Sequence, residues 1–309
     1  METPATMTSP TIVTRGALLA GIAALPLALE ACAHRGQDRA IAVGSKNFTE
    51  ELIVGEMYAQ LLEHAGYSVQ RKLNLGGVAV AMAAMQRGDI DLYPEYTGTA
   101  LLTVLKQPPL HREAAVYDAV KKAYAAQYKM AWLDPAPMND TQALATTRQV
   151  SQKYGLRTLS QLAAIAPQLR FGAIAEFVSR PDALPGLKKY YGGFDFKSVR
   201  IFDIGLKYQA LLRGDVDVVV AFGTDGQIDA YHLVVLEDDK HFWPPYHIAP
   251  VVRDEALERW PKIAPVLNAL APHLTDEAVR RLNWEVDGSK REPADVARDF
   301  MKQSGLLAT

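Results

Sequence analysis

The chain has 309 residues, of which 49% are hydrophobic and 22% are charged, and this is the composition of a globular protein rather than a disordered one. Its length suffices for about two domains of ordinary size. The formal net charge is −2 and there is no long basic run, so the sequence lacks the electrostatic footprint of a nucleic-acid-binding protein.

An apolar segment near the N-terminus predicts export from the cytoplasm. Residues 16–29 are almost wholly apolar and follow Arg15, and the run is too short to span a bilayer comfortably. Cys32 comes shortly after it and is the only cysteine, so the chain cannot form an internal disulfide. The segment resembles a lipoprotein signal, with residues 1–31 removed and Cys32 lipidated; the alternative is an ordinary cleaved signal with an incidental cysteine. We expect a periplasmic or otherwise extracytoplasmic protein that is membrane-anchored through Cys32.

From residue 41 onwards, short apolar runs alternate with helical periods. Asn47, with Glu50 three residues later, predicts a helix N-cap before an apolar series with helical spacing. Strands are predicted at 41–45, 67–75, 90–93 and 130–133, and further helices at 78–87 and 112–128. This alternation predicts a mostly parallel sheet with helices on its faces.

A second α/β series follows a breaker cluster at 134–138. Its strands are predicted at 142–147, 170–175, 199–204, 216–221 and 232–236, and its helices at 159–166 and 205–213. The sequence Trp243-Pro-Pro is a second breaker cluster, and the remainder from Asp254 is predicted to be mainly helical. The fold class is therefore α/β, with two series of strands and helices.

Two segments of the chain resemble each other. Residues 87–97 and 213–223 both begin with Arg-Gly-Asp and carry a second aspartate two positions after the first, and Tyr96 then aligns with Phe222. Chance similarity is the alternative, because a helix that ends in Gly-Asp before a strand is common in α/β proteins. We expect two lobes with similar cores, each with an aromatic residue at the carboxyl end of an equivalent strand, where open α/β sheets bind ligands.

The sequence lacks common signatures of catalysis and cofactor binding. It has no Gly-x-Ser-x-Gly, no P-loop, no Gly-x-Gly-x-x-Gly and no paired-histidine zinc motif. Four aspartates lie at the starts of short strands and are interpreted as structural rather than as a general acid/base pair: Asp89, Asp91, Asp215 and Asp217. We therefore expect a binding protein with no catalytic residues, no cofactor and no metal.

Aromatic residues occur at predicted strand ends and near the breaker clusters, namely Tyr93, Tyr96, Phe222, Trp243 and Tyr246. Aromatic faces attract cations, and a cage of such faces holds a quaternary ammonium group, which has no N–H to donate. Each desolvated face contributes about 0.5–2 kcal/mol. The pattern indicates a cation-binding cage, and the alternative is that these rings pack in the cores of the lobes.

Six segments, in order along the chain, carry a resemblance to a known family. They are Gly44-Ser-Lys-Asn-Phe-Thr-Glu, Asp89-Ile-Asp-Leu-Tyr-Pro-Glu-Tyr-Thr-Gly-Thr, Asn139-Asp-Thr-Gln-Ala-Leu, Gly205-Leu-Lys-Tyr-Gln-Ala-Leu, Leu236-Glu-Asp-Asp-Lys and Pro244-Pro-Tyr-His-Ile-Ala-Pro. These segments look like those of the glycine betaine/choline/carnitine-binding proteins of osmoprotectant ABC importers, the ProX/OpuAC type. The resemblance covers the chain from residue 40 to the C-terminal helix.

The resemblance implies a two-lobed periplasmic-binding-protein fold of type II, with the ligand in the cleft between the lobes. Residues 40–141 and 246–309 would form lobe one, and residues 142–245 would form lobe two. It also implies a small zwitterion or quaternary amine as the ligand, the membrane permease of an ABC importer as the partner, and a monomeric binding protein.

The resemblance further implies which residues bind the ligand. Tyr96 and Tyr246 would be walls of the cage, and Thr99 would hydrogen-bond the ligand. Lys46 and Arg180 would clamp a carboxylate of the ligand.

Two positions depart from the family pattern. Phe222 stands where the family has a tyrosine and keeps the ring without its hydroxyl, whereas Gln142 replaces a ring with an amide. Amide donors that face methyl groups are uncompensated, so weak binding of glycine betaine is expected. Two ligand hypotheses stay open: a glycine betaine-like osmoprotectant, or a different zwitterion such as choline, carnitine or ergothioneine. A sensor without a transport role and an enzyme on a related two-lobed fold are the further alternatives.

Overall fold

The computed structural model describes residues 39–308, so the predicted signal segment and the lipidation at Cys32 lie outside the described residues. Ten strands occur in this part of the chain: β1 Ile41–Gly44, β2 Val69–Lys72, β3 Leu92–Tyr96, β4 Met130–Trp132, β5 Gln142–Thr146, β6 Arg170–Ala173, β7 Ser198–Ile201, β8 Val218–Phe222, β9 Val234–Leu236 and β10 Ile248–Arg253.

The α-helices of the same residues are α1 Thr49–His64, α2 Val78–Arg87, α3 Thr97–Thr99, α4 Glu113–Tyr128, α5 Arg148–Tyr154, α6 Leu159–Ile165, α7 Leu184–Leu187, α8 Lys207–Leu212, α9 Gln227–Ala230, α10 Asp254–Arg259, α11 Ile263–Asn268, α12 Asp276–Asp287 and α13 Pro293–Gln303. Short 3-10 helices occupy Ala166–Gln168, Glu176–Val178 and Ala271–His273, and π-helical turns occupy Ala100–Val104 and Lys188–Gly192. None of the helices in residues 39–308 combines the length and the apolarity that crossing a membrane requires.

The strands form two five-stranded sheets that share one plan. The first sheet has the order β2-β1-β3-β10-β4, and the second has the order β7-β6-β8-β5-β9. Strand β5 is the first strand after the chain passes from the first sheet to the second, and it runs antiparallel to β8. Strand β10 is the first after the chain returns, and it runs antiparallel to β3. The chain enters the second sheet after β4 and returns to the first with β10. The predicted α/β fold with two lobes is confirmed. The prediction of a mostly parallel sheet is wrong, because within residues 39–308 the pairs that involve β10 and β5 are antiparallel and only the pairs β1–β2, β1–β3, β6–β7 and β6–β8 are parallel.

The two similar segments of the sequence occupy equivalent places in the two sheets. Asp91 Oδ2 accepts the backbone N–H of Ala42 in β1 at 2.9 Å, and Asp217 Oδ2 accepts that of Arg170 in β6 at 2.8 Å. Each carboxylate satisfies a backbone donor where a neighbouring parallel strand begins. These two aspartates are therefore structural, as predicted.

The first turn of α1 differs from the prediction. The N-cap residue is Phe48, which makes no side-chain capping bond, rather than Asn47. Glu50 is buried and bonded to Tyr96 and Thr224 instead of reaching back to the helix terminus. The predicted cap is wrong because Asn47 and Glu50 line an interior cavity.

Strand β10 has no counterpart among the predicted elements. Its Pro250 interrupts the pattern expected of a central strand, and it lies opposite Pro94 of β3. The Pro250 carbonyl accepts the N–H of Leu133 on the β4 side, so the backbone groups of Pro250 point away from β3. The two facing prolines therefore remove no hydrogen bond between β3 and β10, and the sheet tolerates them.

Candidate ligand-binding site

A cavity of about 400 Å³ lies at the carboxyl ends of strands from both sheets. Its wall includes residues at or just after the ends of β1, β3, β6, β7 and β8, respectively Lys46, Tyr96, Ile174, Phe202 and Phe222. Open α/β sheets bind ligands at this edge, and small-molecule sites have volumes of about 300–1,000 Å³. The cavity is therefore the candidate ligand-binding site.

All of the ligand-binding residues predicted from the sequence lie on this wall: Lys46, Tyr96, Thr99, Gln142, Arg180, Phe222 and Tyr246. The wall also contains residues that the sequence did not single out as part of a site: Phe48, Glu50, Asp140, Phe202, Tyr208, Thr224 and Asp225. Four of these, Phe48, Glu50, Asp140 and Tyr208, belong to the segments that carry the family resemblance, which is the signal that could have found them.

Two aromatic rings of the wall each lie against a lysine ammonium. Lys46 Nζ is 4.6 Å from the centroid of the Tyr96 ring, and Lys207 Nζ is 4.5 Å from that of Phe222. The Phe48 ring stacks beside Tyr96 with the centroids 6.1 Å apart. Ring faces attract cations within about 6 Å of the centroid. Tyr96 and Phe222, two of the predicted cage residues, therefore each contact a cation of the protein itself.

The Lys46 ammonium is enclosed by carboxylates of the protein. Its Nζ lies 2.6 Å from Glu95 Oε1 and 3.3 Å from Glu51 Oε1. Burial alone would lower the pKa of Lys46, but the two carboxylates outweigh burial and raise it. Burial raises the pKa of Glu51 to about 8, against the opposing effect of Lys46. Lys46 is thus a buried and paired lysine, and its role as a clamp on a ligand carboxylate stays a prediction.

The Arg180 guanidinium forms a two-point ion pair with Asp182 at the cavity wall. Nε and Nη2 of Arg180 donate to Oδ1 and Oδ2 of Asp182 at 2.9 and 2.5 Å. Nη2 also lies 3.4 Å from Thr99 Oγ1. Burial would lower the pKa of Arg180, and the Asp182 carboxylate raises it above its ordinary value. The bidentate geometry fixes the plane of the guanidinium, with Thr99 beside it.

Gln142 is bonded within the protein rather than left as a free amide. Its Nε2 donates to Asp182 Oδ2 at 2.6 Å and lies 3.2 Å from Tyr246 Oη. The Tyr246 hydroxyl in turn donates to Asp182 Oδ2 at 2.7 Å. The expectation that the Gln142 amide donors are uncompensated is therefore wrong, because a buried carboxylate accepts from the nitrogen.

A glycine positions the Tyr246 ring. A Cβ at Gly98 would lie 2.7 Å from Cδ1 and Cε1 of Tyr246, closer than real carbon contacts allow. Asn139 Oδ1 accepts the backbone N–H of Tyr246 at 2.7 Å. The absence of a side chain at Gly98 therefore lets the ring pack against the turn after β3, where its hydroxyl reaches Asp182.

The Thr224 hydroxyl bridges two buried carboxyl groups. Thr224 Oγ1 lies 2.5 Å from Glu50 Oε2 and 2.6 Å from Asp140 Oδ1. A hydroxyl has one proton to donate, so the second of these short contacts requires a proton on one of the carboxyls. Burial raises the pKa of both groups, and the charge of Glu50 raises that of Asp140 further. The Tyr96 hydroxyl also donates to Glu50, to Oε1 at 2.5 Å.

Asp225 connects the aromatic residues of the second lobe. Its Oδ2 lies 3.1 Å from Lys207 Nζ and accepts the backbone N–H of Phe222 at 3.0 Å. The Tyr208 hydroxyl donates to the same oxygen. Asp225 therefore neutralises Lys207 and holds its ammonium over the Phe222 ring.

The wall of the cavity is acidic. Its carboxyl groups are Glu50, Asp140, Glu176, Asp203, Asp225 and Asp287, of which Glu50 and Asp140 share a proton. Its cationic side chains are Lys46 and Arg180, both of which are paired with protein carboxylates. In residues 39–308 no group of histidine, cysteine and carboxylate side chains is arranged to hold a metal ion. An excess of carboxylates beside aromatic rings favours a ligand that carries a positive charge.

Comparison with known proteins gives consistent matches over nearly all of the described chain. The model of the family described as the substrate-binding domain of ABC-type glycine betaine transport system (OpuAC) matches residues 39–303. A crystal structure described as a glycine betaine/carnitine/choline ABC transporter superposes with a TM-score of 0.71 and 33% sequence identity, covering 86% of this chain and 99% of the other.

Two curated relatives have names that specify other ligands. The ergothioneine transport permease/ergothioneine binding protein EgtU of Helicobacter pylori (strain G27) is 35% identical over 271 residues, which is 87% of this chain. This chain spans only 48% of the length of that relative. The carnitine transport binding protein OpuCC of Listeria monocytogenes is 32% identical over 270 residues, covering 86% of this chain and 87% of that protein.

Proposed function

The chain belongs to the family of substrate-binding domains of ABC-type glycine betaine transport systems, and on this premise we propose that it binds a quaternary-ammonium zwitterion in the cavity described above. The predicted family and the two-lobed type II fold are confirmed. The chain is a substrate-binding component of an ABC importer, and proteins of this kind bind a small molecule outside the cytoplasm and deliver it to a membrane permease.

The observation that carries the proposal is the combination of acidic and aromatic groups on one wall. The rings of Phe222 and Tyr208 lie with Asp225 in the second lobe, and the ring of Tyr96 lies with Glu50 in the first. A trimethylammonium group cannot donate a hydrogen bond, so ring faces are what recognise it, and Asp225 offsets the charge of the Lys207 ammonium beside the Phe222 ring. We place the cationic end of the ligand between these two sets.

The opposite end of the ligand has a different partner. Arg180 retains N–H groups beyond the two that bind Asp182, and Thr99 lies beside it. We place the ligand carboxylate here, with Arg180 and Thr99 as donors and with Tyr246 beside them as a wall. The buried Lys46 would act on this carboxylate through its charge.

A betaine larger than glycine betaine is the favoured ligand. The cavity of about 400 Å³ equals the volume of about a dozen water molecules at about 30 Å³ each, which is more than the few non-hydrogen atoms of glycine betaine occupy. The names of two relatives specify carnitine and ergothioneine, and this also supports a ligand larger than glycine betaine. Glycine betaine and choline are the alternatives.

The remaining parts of the proposal concern the whole protein. We propose that residues 40–141 and 246–309 move as one lobe and residues 142–245 as the other. We propose further that the protein is a monomer, that it is anchored to the membrane by lipid on Cys32, and that it acts without catalysis or a cofactor. Membership in a family of transport components supports a binding role over that of an enzyme or a sensor.

Isothermal titration calorimetry of the purified protein tests the function. The panel contains glycine betaine, choline, carnitine and ergothioneine, with glycine and histidine as controls that lack the quaternary ammonium group. We expect saturable binding of at least one trimethylammonium compound and none of the controls. Binding of the controls alone, or of no member of the panel by the folded protein, would contradict the proposal.

A further inference from the structure

A buried carboxylate fixes which atom of Gln142 faces the cavity. Asp182 has a fully buried side chain, and it accepts hydrogen bonds from Arg180, Tyr246 and Nε2 of Gln142. The backbone carbonyl of Asp182 lies 3.2 Å from the same Nε2. A carboxylate and a carbonyl only accept, so the nitrogen of the Gln142 amide must lie on this side.

The oxygen of the same amide is left for the cavity. Gln142 lines the cavity and is 5% exposed, and within residues 39–308 its side-chain oxygen accepts no hydrogen bond. A ligand that removes water from this oxygen without supplying a donor leaves it unpaired, which is costly. The wall therefore presents an acceptor that a ligand donor can satisfy.

We propose that Gln142 Oε1 selects ligands that carry a hydrogen-bond donor in addition to the quaternary ammonium group. This inference rests on the proposed function and names the ligand class: a quaternary-ammonium zwitterion with an N–H or O–H group that donates to Gln142. Glycine betaine has no such group. A ligand without the donor leaves Oε1 desolvated and unpaired, and it binds about 10- to 100-fold more weakly for that reason.

Asp182 is the positioning residue in this arrangement. The two ends of a glutamine amide have nearly the same shape, and only their hydrogen-bond partners decide which end faces a ligand. Asp182 holds the nitrogen at 2.6 Å and is itself fixed by two bonds from Arg180. The acceptor at residue 142 is therefore set before the ligand arrives, which lowers the free energy that binding must spend on ordering the site.

Matched pairs of trimethylammonium ligands test the proposal on the wild-type protein. Carnitine and γ-butyrobetaine differ by one hydroxyl group. The trimethyl betaines of histidine and phenylalanine differ in their aromatic ring, which carries an N–H donor only in the histidine compound. In calorimetric titrations we expect the donor-bearing member of at least one pair to bind about 10- to 100-fold more tightly than its partner. The pair that shows the preference identifies the donor as O–H or N–H.

The variant Gln142→Met links the preference to this residue. Methionine keeps the length of the side chain and removes both ends of the amide, so we expect the two members of each pair to bind Gln142→Met with equal affinity, even where loss of the Nε2 bond to Asp182 weakens both. Equal affinities within both pairs in wild type, or a preference that persists in Gln142→Met, would overturn the inference and leave the proposed function intact. If no trimethylammonium compound binds to protein whose circular dichroism shows it folded, the proposed function falls and this inference falls with it.

Discussion

Tyr96 and Phe222 end equivalent strands of the two sheets, β3 and β8, and both reach the same cavity. Each ring contacts a lysine ammonium, Lys46 in the first lobe and Lys207 in the second. A ligand that touches a ring from each lobe favours the closed arrangement of the lobes by its differential affinity for that state. We therefore expect the two rings to act together in ligand binding.

Phe222 is the better of the two rings to test. The Tyr96 hydroxyl donates to buried Glu50, so changing Tyr96 alters more than the ring face. We expect Phe222→Ala to weaken binding of the best trimethylammonium ligand by about 2- to 30-fold. Phe222→Tyr keeps the ring face, so we expect its affinity to lie within about twofold of wild type. Calorimetric titration measures both variants. An alanine variant with wild-type affinity would show that Phe222 is not part of the cage.

The bridge made by Thr224 predicts an effect on stability. Valine has nearly the shape of threonine but lacks the hydroxyl, so Thr224→Val leaves oxygens of Glu50 and Asp140 without the donor between them. We expect Thr224→Val to lower the free energy of unfolding by about 1–3 kcal/mol, as measured by urea denaturation. Thr224→Ser retains the hydroxyl and is the control, with a smaller loss. Equal losses in the two variants would show that the lost methyl contacts, not the hydroxyl, determine the effect.

The sequence predicts those parts of the site that depend on residues close together along the chain. The shared Arg-Gly-Asp segments predict that Tyr96 and Phe222 end equivalent strands, because register within a short strand follows from the residues around it. Thr224 bonds Glu50, which lies 174 positions away in the sequence, and Asp140, which lies 84 positions away. No local sequence pattern contains this bridge.

One local prediction is wrong and one strand has no predicted counterpart, each for an identifiable physical reason. Asn47 and Glu50 have the spacing of a helix cap, but burial at the cavity gives Glu50 better partners than the helix terminus. Strand β10 has no predicted counterpart, and its Pro250 is compatible with a central strand because it lies opposite Pro94 with its backbone groups turned away from β3. In both cases tertiary contacts decide between local alternatives that the sequence leaves open.

The buried carboxyls predict how stability depends on pH. Burial raises the pKa of Glu50, Glu51 and Asp140, that of Glu51 to about 8. A group whose pKa is raised on folding binds more protons in the folded chain than in the unfolded chain, so the free energy of unfolding falls as pH rises. We expect the melting temperature, measured by calorimetry without ligand, to fall as pH increases from about 5 to about 8.

At acid pH the free energy of unfolding is expected to change in the opposite direction, falling as pH falls. The pKa values of Glu63 and Asp217 are lowered by hydrogen bonds from Arg71 and Arg170, so the stability they contribute is lost as pH falls below about 4. Stability should therefore be highest near pH 5. A melting temperature that rises steadily from pH 5 to pH 8 would contradict the assignment of raised pKa values to the three buried carboxyls.

The proposed lipid on Cys32 predicts where the protein is found in the cell. We expect wild-type protein to sediment with membranes and to enter the detergent phase in Triton X-114 partitioning, because acyl chains bury in the bilayer. Cys32→Ser removes the attachment point and should transfer the protein to the soluble fraction, or leave it uncleaved. Mature Cys32→Ser protein that partitions as wild type does would rule out the lipid anchor.

Recognition of a positive charge by the cavity can be tested with ligands in which carbon replaces the quaternary nitrogen. Glycine betaine and 3,3-dimethylbutanoate, and choline and 3,3-dimethylbutan-1-ol, have nearly the same shape and differ in whether nitrogen or carbon carries the three methyl groups. Calorimetric titration of wild-type protein with both pairs separates charge from shape. We expect the trimethylammonium member of each pair to bind about tenfold more tightly or better, because ring faces and an acidic wall surround its charge. If the carbon analogue, which lacks the positive charge, binds as tightly as its partner in both pairs, the cavity does not recognise a cation, and the proposed function is wrong.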